Sequence, residues 1–295
     1  MLKGSLRVAS IAAFALALGG PTLAQKTVPD ERDRLFQAGV SAYESGRYAD
    51  AVPPLEKLVR LVPDNFEVNE LLGLVYASNA QDAQANDHLA KAVRLNPKSA
   101  AARSNLAASF ARLGKMDLAE EHFTKAAELE PEDYGTNHNL GAALAHNGKV
   151  AKALPYLEKA QRLNPSSYGN GYDLSLAYLV SGRLTDARAS IKSLLRIKDT
   201  AELHNLLAQV EEKDGNFIAA VNQFETAAHM EPTESNLFDW AGELMVHRTL
   251  DPALEVFRQA TDRYPNSYRL MVGLGTAYYA RGNYDEAVRF LIRGA

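Results

Sequence analysis

Pro63, Pro97, Pro131 and Pro165 stand 34 residues apart, and Pro232 and Pro265 continue the series after a gap of 67 in which one proline, due near Lys198 and Asp199, is missing. A fixed period of this length constrains the fold more than any bulk property does. It makes each period one supersecondary unit, too small to bury its own apolar face and stable only when stacked on its neighbours. Proline has no N–H to continue a helix and turns the residue before it away from helical backbone angles, so each of these positions reads as a stop.

The same residue types return inside each period. Leu72, Gly73, Tyr76, Ala85, Leu89, Ala92 and Pro97 reappear as Leu140, Gly141, Leu144, Ala153, Leu157, Ala160 and Pro165. Leu106, Ala107, Phe110, Gly114, Ala119, Phe123, Ala126 and Pro131 repeat the series, and Leu274, Gly275, Tyr278, Gly282, Ala287 and Leu291 end it. Apolar residues three and four apart in both halves predict two amphipathic helices per period. Gly46, Gly114, Gly148, Gly182, Gly215 and Gly282 mark the turn between them. Gly73, Gly141 and Gly275 are expected to face Ala85, Ala153 and Ala287, side chains small enough to let two backbones approach. Pro53, Pro54 and Pro155 fall about a turn inside second helices and predict late helix starts there. Trp240, in a leucine slot, is read as a large core residue.

Taken together, the Leu-Gly-x-x-Tyr, Ala-x-x-x-Phe and Pro pattern resembles that of the tetratricopeptide repeat family, across nearly the whole chain after its first residues. The resemblance implies an all-α fold, an α-solenoid in which helix-turn-helix hairpins stack into a right-handed superhelix. The repeats are placed at 32–65, 66–99, 100–133, 134–167, 168–200, 201–233, 234–267 and an incomplete 268–295. With no proline- or serine-rich linker, one continuous body is expected, with Gly169 and Gly171 marking a weak helix start. The last unit lacks a polar capping helix, so its C-terminal face is expected to be covered by a further domain or a partner.

Residues 1–24 have the layout of a secretory signal peptide, and 25–31 form a short segment before the array. Lys3 and Arg7 give a basic start, Val8 to Leu18 an apolar run too short to span a bilayer, and Thr22, Leu23 and Ala24 a small-residue cleavage site. Cleavage after Ala24 predicts a periplasmic or secreted protein with no integral membrane segment. The 295 residues contain no cysteine, which removes disulfides, thiolate chemistry and lipoprotein attachment. A formal net charge of −4, more negative once Lys3 and Arg7 leave, argues against a nucleic-acid partner.

No H-E-x-x-H pair, phosphate loop or G-x-S-x-G elbow occurs, so no catalytic, cofactor-binding or metal-binding residue is assigned and the chain is read as a non-enzyme. What remains is a concave surface, which the family resemblance implies is lined by first helices. Asn105 and Asn139 occupy equivalent slots before the motif leucine and Asp173 takes the next, with Asp239 a relative. This is similar to the asparagine ladder with which some family members grip a peptide backbone, and an asparagine amide both donates and accepts as that task needs. Phe36, His138, Tyr172, Asn205, Phe238 and Tyr279 complete the candidate groove. The cationic clamp by which chaperone cofactors hold a C-terminal carboxylate is not reproduced, since Ser104, Ala108, Asn139, Gly169 and Asp173 fill its slots. The expected partner is therefore a protein or extended peptide, held by a cell-envelope scaffold. The alternative is the recognition module of a longer enzyme, or of polysaccharide or secretion machinery, whose remainder follows Ala295.

Overall fold

A computed structural model describes residues 30–294, so the signal-type leader lies outside the described residues. Among them are sixteen helices and no strand, in two compact units that meet in sequence at Pro165 and Ser166. The first unit contains α1 (Glu31–Glu44), α2 (Tyr48–Leu61), α3 (Phe66–Ser78), α4 (Asp82–Leu95), α5 (Ala100–Arg112), α6 (Met116–Leu129), α7 (Tyr134–His146) and α8 (Val150–Leu163). The second contains α9 (Tyr168–Val180), α10 (Leu184–Ile197), α11 (Ala201–Lys213), α12 (Phe217–Met230), α13 (Glu234–Val246), α14 (Leu250–Arg263), α15 (Tyr268–Arg281) and α16 (Tyr284–Arg293). Each unit is an all-α solenoid of antiparallel hairpins in which every helix packs on those before and after it in sequence. The division into two units falls where the sequence shows no linker, just ahead of Gly169 and Gly171.

Capping chemistry sets the helix boundaries. The first helices of hairpins two to eight begin on Asn65, Ser99, Asp133, Ser167, Thr200, Thr233 and Ser267, each of which accepts a hydrogen bond from the N–H three residues on. Such a cap stabilises a helix by about 1 kcal/mol. Second helices lack side-chain caps because the hairpin turn supplies their geometry. The N–H after each turn residue returns to a carbonyl of the first helix's last turn, as from Lys149 to Leu144 (2.8 Å) and Asn216 to Glu211 (2.8 Å). The turn residue needs a positive φ, and the six glycines read from the sequence all have one. The remaining two hairpins use Ala80 (φ 57°) and Arg248 (φ 58°), at a cost that glycine avoids.

Two packing expectations change. A Cβ on Gly73 would lie 2.6 Å from Leu89 Cγ, and one on Gly141 2.7 Å from Leu157 Cγ, so the closest approach is to leucines one helical turn beyond Ala85 and Ala153. The backbone N of each leucine is also only 3.1 Å away, so glycine is required by main-chain proximity as well as by side-chain bulk. Pro53, Pro54 and Pro155 do not delay their helices: α2 and α8 begin at Tyr48 and Val150 and run through them. Burial of Ala51, Leu55 and Leu58 in one case, and of Ala153, Leu157 and Ala160 in the other, holds these segments helical despite the lost main-chain hydrogen bonds. Trp240 packs against the core of the second unit, edge-on to His229.

Charge pairs tie successive hairpins. The start of one second helix reaches the end of the next first helix through Asp82 and Arg112 (2.6 Å) and Asp251 and Arg281 (2.8 Å), and the turn after it through Glu120 and Lys149 (2.5 Å). At the join of α10 and α11 the polarity reverses: Arg188 clasps Glu211 through two hydrogen bonds (2.7 and 2.8 Å) and also reaches Asp214. The guanidinium holds the Glu211 carboxyl below its usual range.

Candidate binding surface

Within each unit the first helices lie side by side, which places equivalent residues on one face. The slot two residues before the motif leucine holds Phe36 in the first hairpin, then Glu70, Ser104 and His138; in the second unit it holds Tyr172, Asn205, Phe238 and Val272. The slot after it holds Asn105, Asn139, Asp173 and Asp239.

In the first unit Phe36 is only 3% exposed and belongs to the apolar core. His138 is half-buried and stacks on Tyr134 with ring centroids 5.6 Å apart. Asn139 is half-buried, whereas Asn105 is buried, 6% exposed, against Glu70 of the neighbouring helix. There Glu70 Oε1, Ser104 Oγ and Asn105 Nδ2 are all shielded from solvent without a hydrogen-bond partner. Burial, reinforced by the charge of Glu67, pushes the Glu70 carboxyl up to about 7, and the adjacent Asn105 amide offsets only part of this. Glu70 is missing from the sequence-derived candidates. Its signal is a carboxylate in a slot that carries aromatic residues in several other hairpins.

In the second unit the candidates engage one another. Asn205 Nδ2 donates to Asp239 Oδ2 (3.2 Å), and Gln209 Nε2 donates to Asn205 Oδ1 (2.7 Å). Arg269 Nη2 donates to Asp239 Oδ1 (3.2 Å) while its guanidinium lies 3.8 Å from the centre of the Phe238 ring. Charge, amide and aromatic face thus form one connected patch on α11, α13 and α15, and Arg269 is the member that the repeat pattern does not mark. Tyr172 contacts Glu202, and burial followed by that carboxylate raises its phenol above the ordinary range. Tyr279 stays 63% exposed beside Tyr284, away from this network. Asp173 is half-buried and has polar or electrostatic partners of its own.

Other asparagines of the first helices serve the fold. Asn69 Nδ2 donates to the carbonyls of Pro63 (2.8 Å) and Asn65 (2.7 Å), and Asn137 Nδ2 to those of Pro131 (2.7 Å) and Asp133 (2.7 Å). Arg103, in the same slot, does this for Pro97 through Nε (2.9 Å). These side chains satisfy carbonyls that the interhairpin loop leaves unpaired. Among the described residues, no group of three or more histidines and carboxylates is placed to hold a metal ion.

Two tetratricopeptide repeat models match the chain, one at residues 36–85 and 81–134 and the other at 144–210 and 248–295, together well over half its length. The chain belongs to the tetratricopeptide repeat family. Solved structures of tetratricopeptide-type arrays agree in fold. A tetratricopeptide repeat protein from Parabacteroides merdae matches with a TM-score of 0.61 at 15% identity, covering 84% of this chain and 99% of that one. PilF of Pseudomonas aeruginosa matches with a TM-score of 0.60 at 20% identity, covering 70% and 94%. PilW, a type IV pilus biogenesis factor, gives 0.60 at 20% identity, covering 70% and 96%. No curated protein matches the chain in sequence.

Proposed function

We propose that this tetratricopeptide repeat protein is an exported, non-catalytic scaffold that holds protein or extended peptide segments in the bacterial cell envelope. The observation that carries the reading is the polar cluster of Glu70, Ser104 and Asn105, whose shielded atoms lack partners on adjacent first helices. Each buried polar group left unmade costs about 1–3 kcal/mol. A guest main chain that turns these side chains outward would supply their hydrogen bonds, with Asn139 on the next first helix extending the contact. The connected patch of Asn205, Phe238, Asp239 and Arg269 offers a second, preorganised surface of mixed charge and aromatic character. The signal-type residues 1–24 support export, with cleavage after Ala24 and a periplasmic or secreted location. Tyr268, Tyr279, Tyr284, Val288 and Ile292 are exposed together on α15 and α16, which supports a further domain or partner covering that face.

The test is crosslinking and pull-down of the mature protein from an envelope fraction, run in parallel with an Asn105→Ala, Asn139→Ala variant. A specific protein partner that the variant loses or retains weakly is the expected result. Recovery of no specific partner, together with no change on substitution, overturns the reading.

A further inference from the structure

A cavity of about 600 Å³ in the second unit is lined by the second helices α14 and α16 and by α15. None of the candidate first-helix residues lines it. Its rim carries Arg258, Arg289 and Arg293, and its floor carries Tyr278 and Phe290, stacked with centroids 5.7 Å apart. Arg258 Nε donates to the Tyr278 hydroxyl (2.9 Å), which leaves the two terminal nitrogens of the guanidinium for another acceptor. Arg289 and Arg293, one turn apart on α16, lie 5.9 and 5.7 Å from the Phe290 ring centre. Two carboxylates share the wall, Asp262 and Glu286, and the latter meets Arg289 only at 3.6 Å on an exposed edge. Arg258 and Arg293 form no ion pair with any described residue.

A comparison within the chain separates packing from charge. In the first unit Tyr76 is the counterpart of Tyr278, and its hydroxyl donates to Glu56 Oε1 (2.6 Å) across the equivalent join. A glutamate therefore ties second helix to first helix in the way that Arg258 does, so the tether does not require an arginine. The reversal gathers cations around an open cavity in a chain whose net charge is −4. Met271 and Leu274 add an apolar floor, and the volume exceeds what a simple inorganic anion fills.

We infer that this cavity is a second binding site, which takes an acidic peptide segment of a partner protein: carboxylates on the three arginines and one apolar or aromatic side chain on the Tyr278 and Phe290 floor. The Tyr278 hydroxyl, already accepting from Arg258, has its own proton to donate, and the Asn283 side chain stands at the same edge.

The test is fluorescence anisotropy with the full chain and a labelled peptide of glutamates and aspartates around a central phenylalanine, beside its glutamine and asparagine counterpart. The acidic peptide is expected to bind and the neutral one not to. An Arg258→Gln, Arg293→Gln variant weakens binding about tenfold or more. Arg281→Gln, whose guanidinium pairs with Asp251 outside the cavity, leaves it unchanged. Arg293→Gln alone, which removes no hydrogen bond of the fold, weakens binding in the same direction and keeps the test valid if loss of the Arg258 tether perturbs folding. Unchanged affinity in both variants, equal binding of the neutral peptide, or full displacement by stoichiometric inorganic phosphate each overturns the assignment. Asn105 and Asn139 lie outside this site, so its failure and that of the first-helix surface are read separately.

Discussion

Replacing Glu70 by glutamine isolates the cost of the buried carboxylate in the first unit. Its carboxyl is raised from an ordinary value of 4.5 to about 7 by burial first and by Glu67 second. A carboxyl whose folded value lies above its unfolded one binds its proton more tightly in the folded chain. Stability from this group is therefore greatest below the unfolded value, falls as pH rises between 4.5 and about 7, and is level above. The interval corresponds to about 3 kcal/mol lost by the parent at about pH 8.5 and recovered by Glu70→Gln, which carries no charge to desolvate and can pair with Asn105. At about pH 4.5 the variant gains little, because the parent carboxyl is then largely protonated in the folded state. The assay is urea unfolding followed by far-ultraviolet circular dichroism, parent against variant at each pH, so that other titrating groups cancel. With a denaturant slope of about 2 kcal/mol per molar, the midpoint of the first unit should rise by about 1.5 M at the higher pH. An equal midpoint there, or an equal gain at both pH values, refutes the assignment of a desolvated carboxylate.

Arg248→Gly should raise the stability of the second unit by about 1 kcal/mol, since φ 58° strains every residue but glycine; an unchanged or lower melting temperature counts against a strained turn. Arg188→Gln should destabilise the second unit by about 3 kcal/mol near neutral pH, because it leaves the buried Glu211 charge without its two-point partner. The Glu211 carboxyl is held low in the fold, so its contribution is present above its unfolded value and lost as pH falls through the folded one. The penalty of Arg188→Gln should accordingly shrink in acid, and a penalty independent of pH in urea titrations would contradict the pairing.

The repeat spells out the hairpins because the same physics recurs eight times. Proline stops, turn glycines and apolar spacing each act locally, and a local signal survives in sequence. Pro53 and Pro155 mislead because the forces that keep α2 and α8 helical come from neighbouring helices, and position along the chain does not record them. The binding surface is harder to read for a related reason. Asn69 and Asn137 resemble Asn105 and Asn139 in type, yet the first pair closes loops over Pro63 and Pro131 while Asn105 faces the buried Glu70 carboxyl of the neighbouring first helix. What separates them is the residue opposite, 35 positions away in the case of Glu70 and Asn105. The informative residues are those that depart from their slot: Glu70 among aromatic residues, Arg269 against Asp239, and Arg258 where Glu56 serves the same tether. A repeat array supplies its own control for such departures, since each slot is tested in several hairpins. A residue that breaks the pattern without improving the packing is the place to look for something the array meets, and Arg258 is the clearest case, because Glu56 shows that the tyrosine tether holds with the opposite charge.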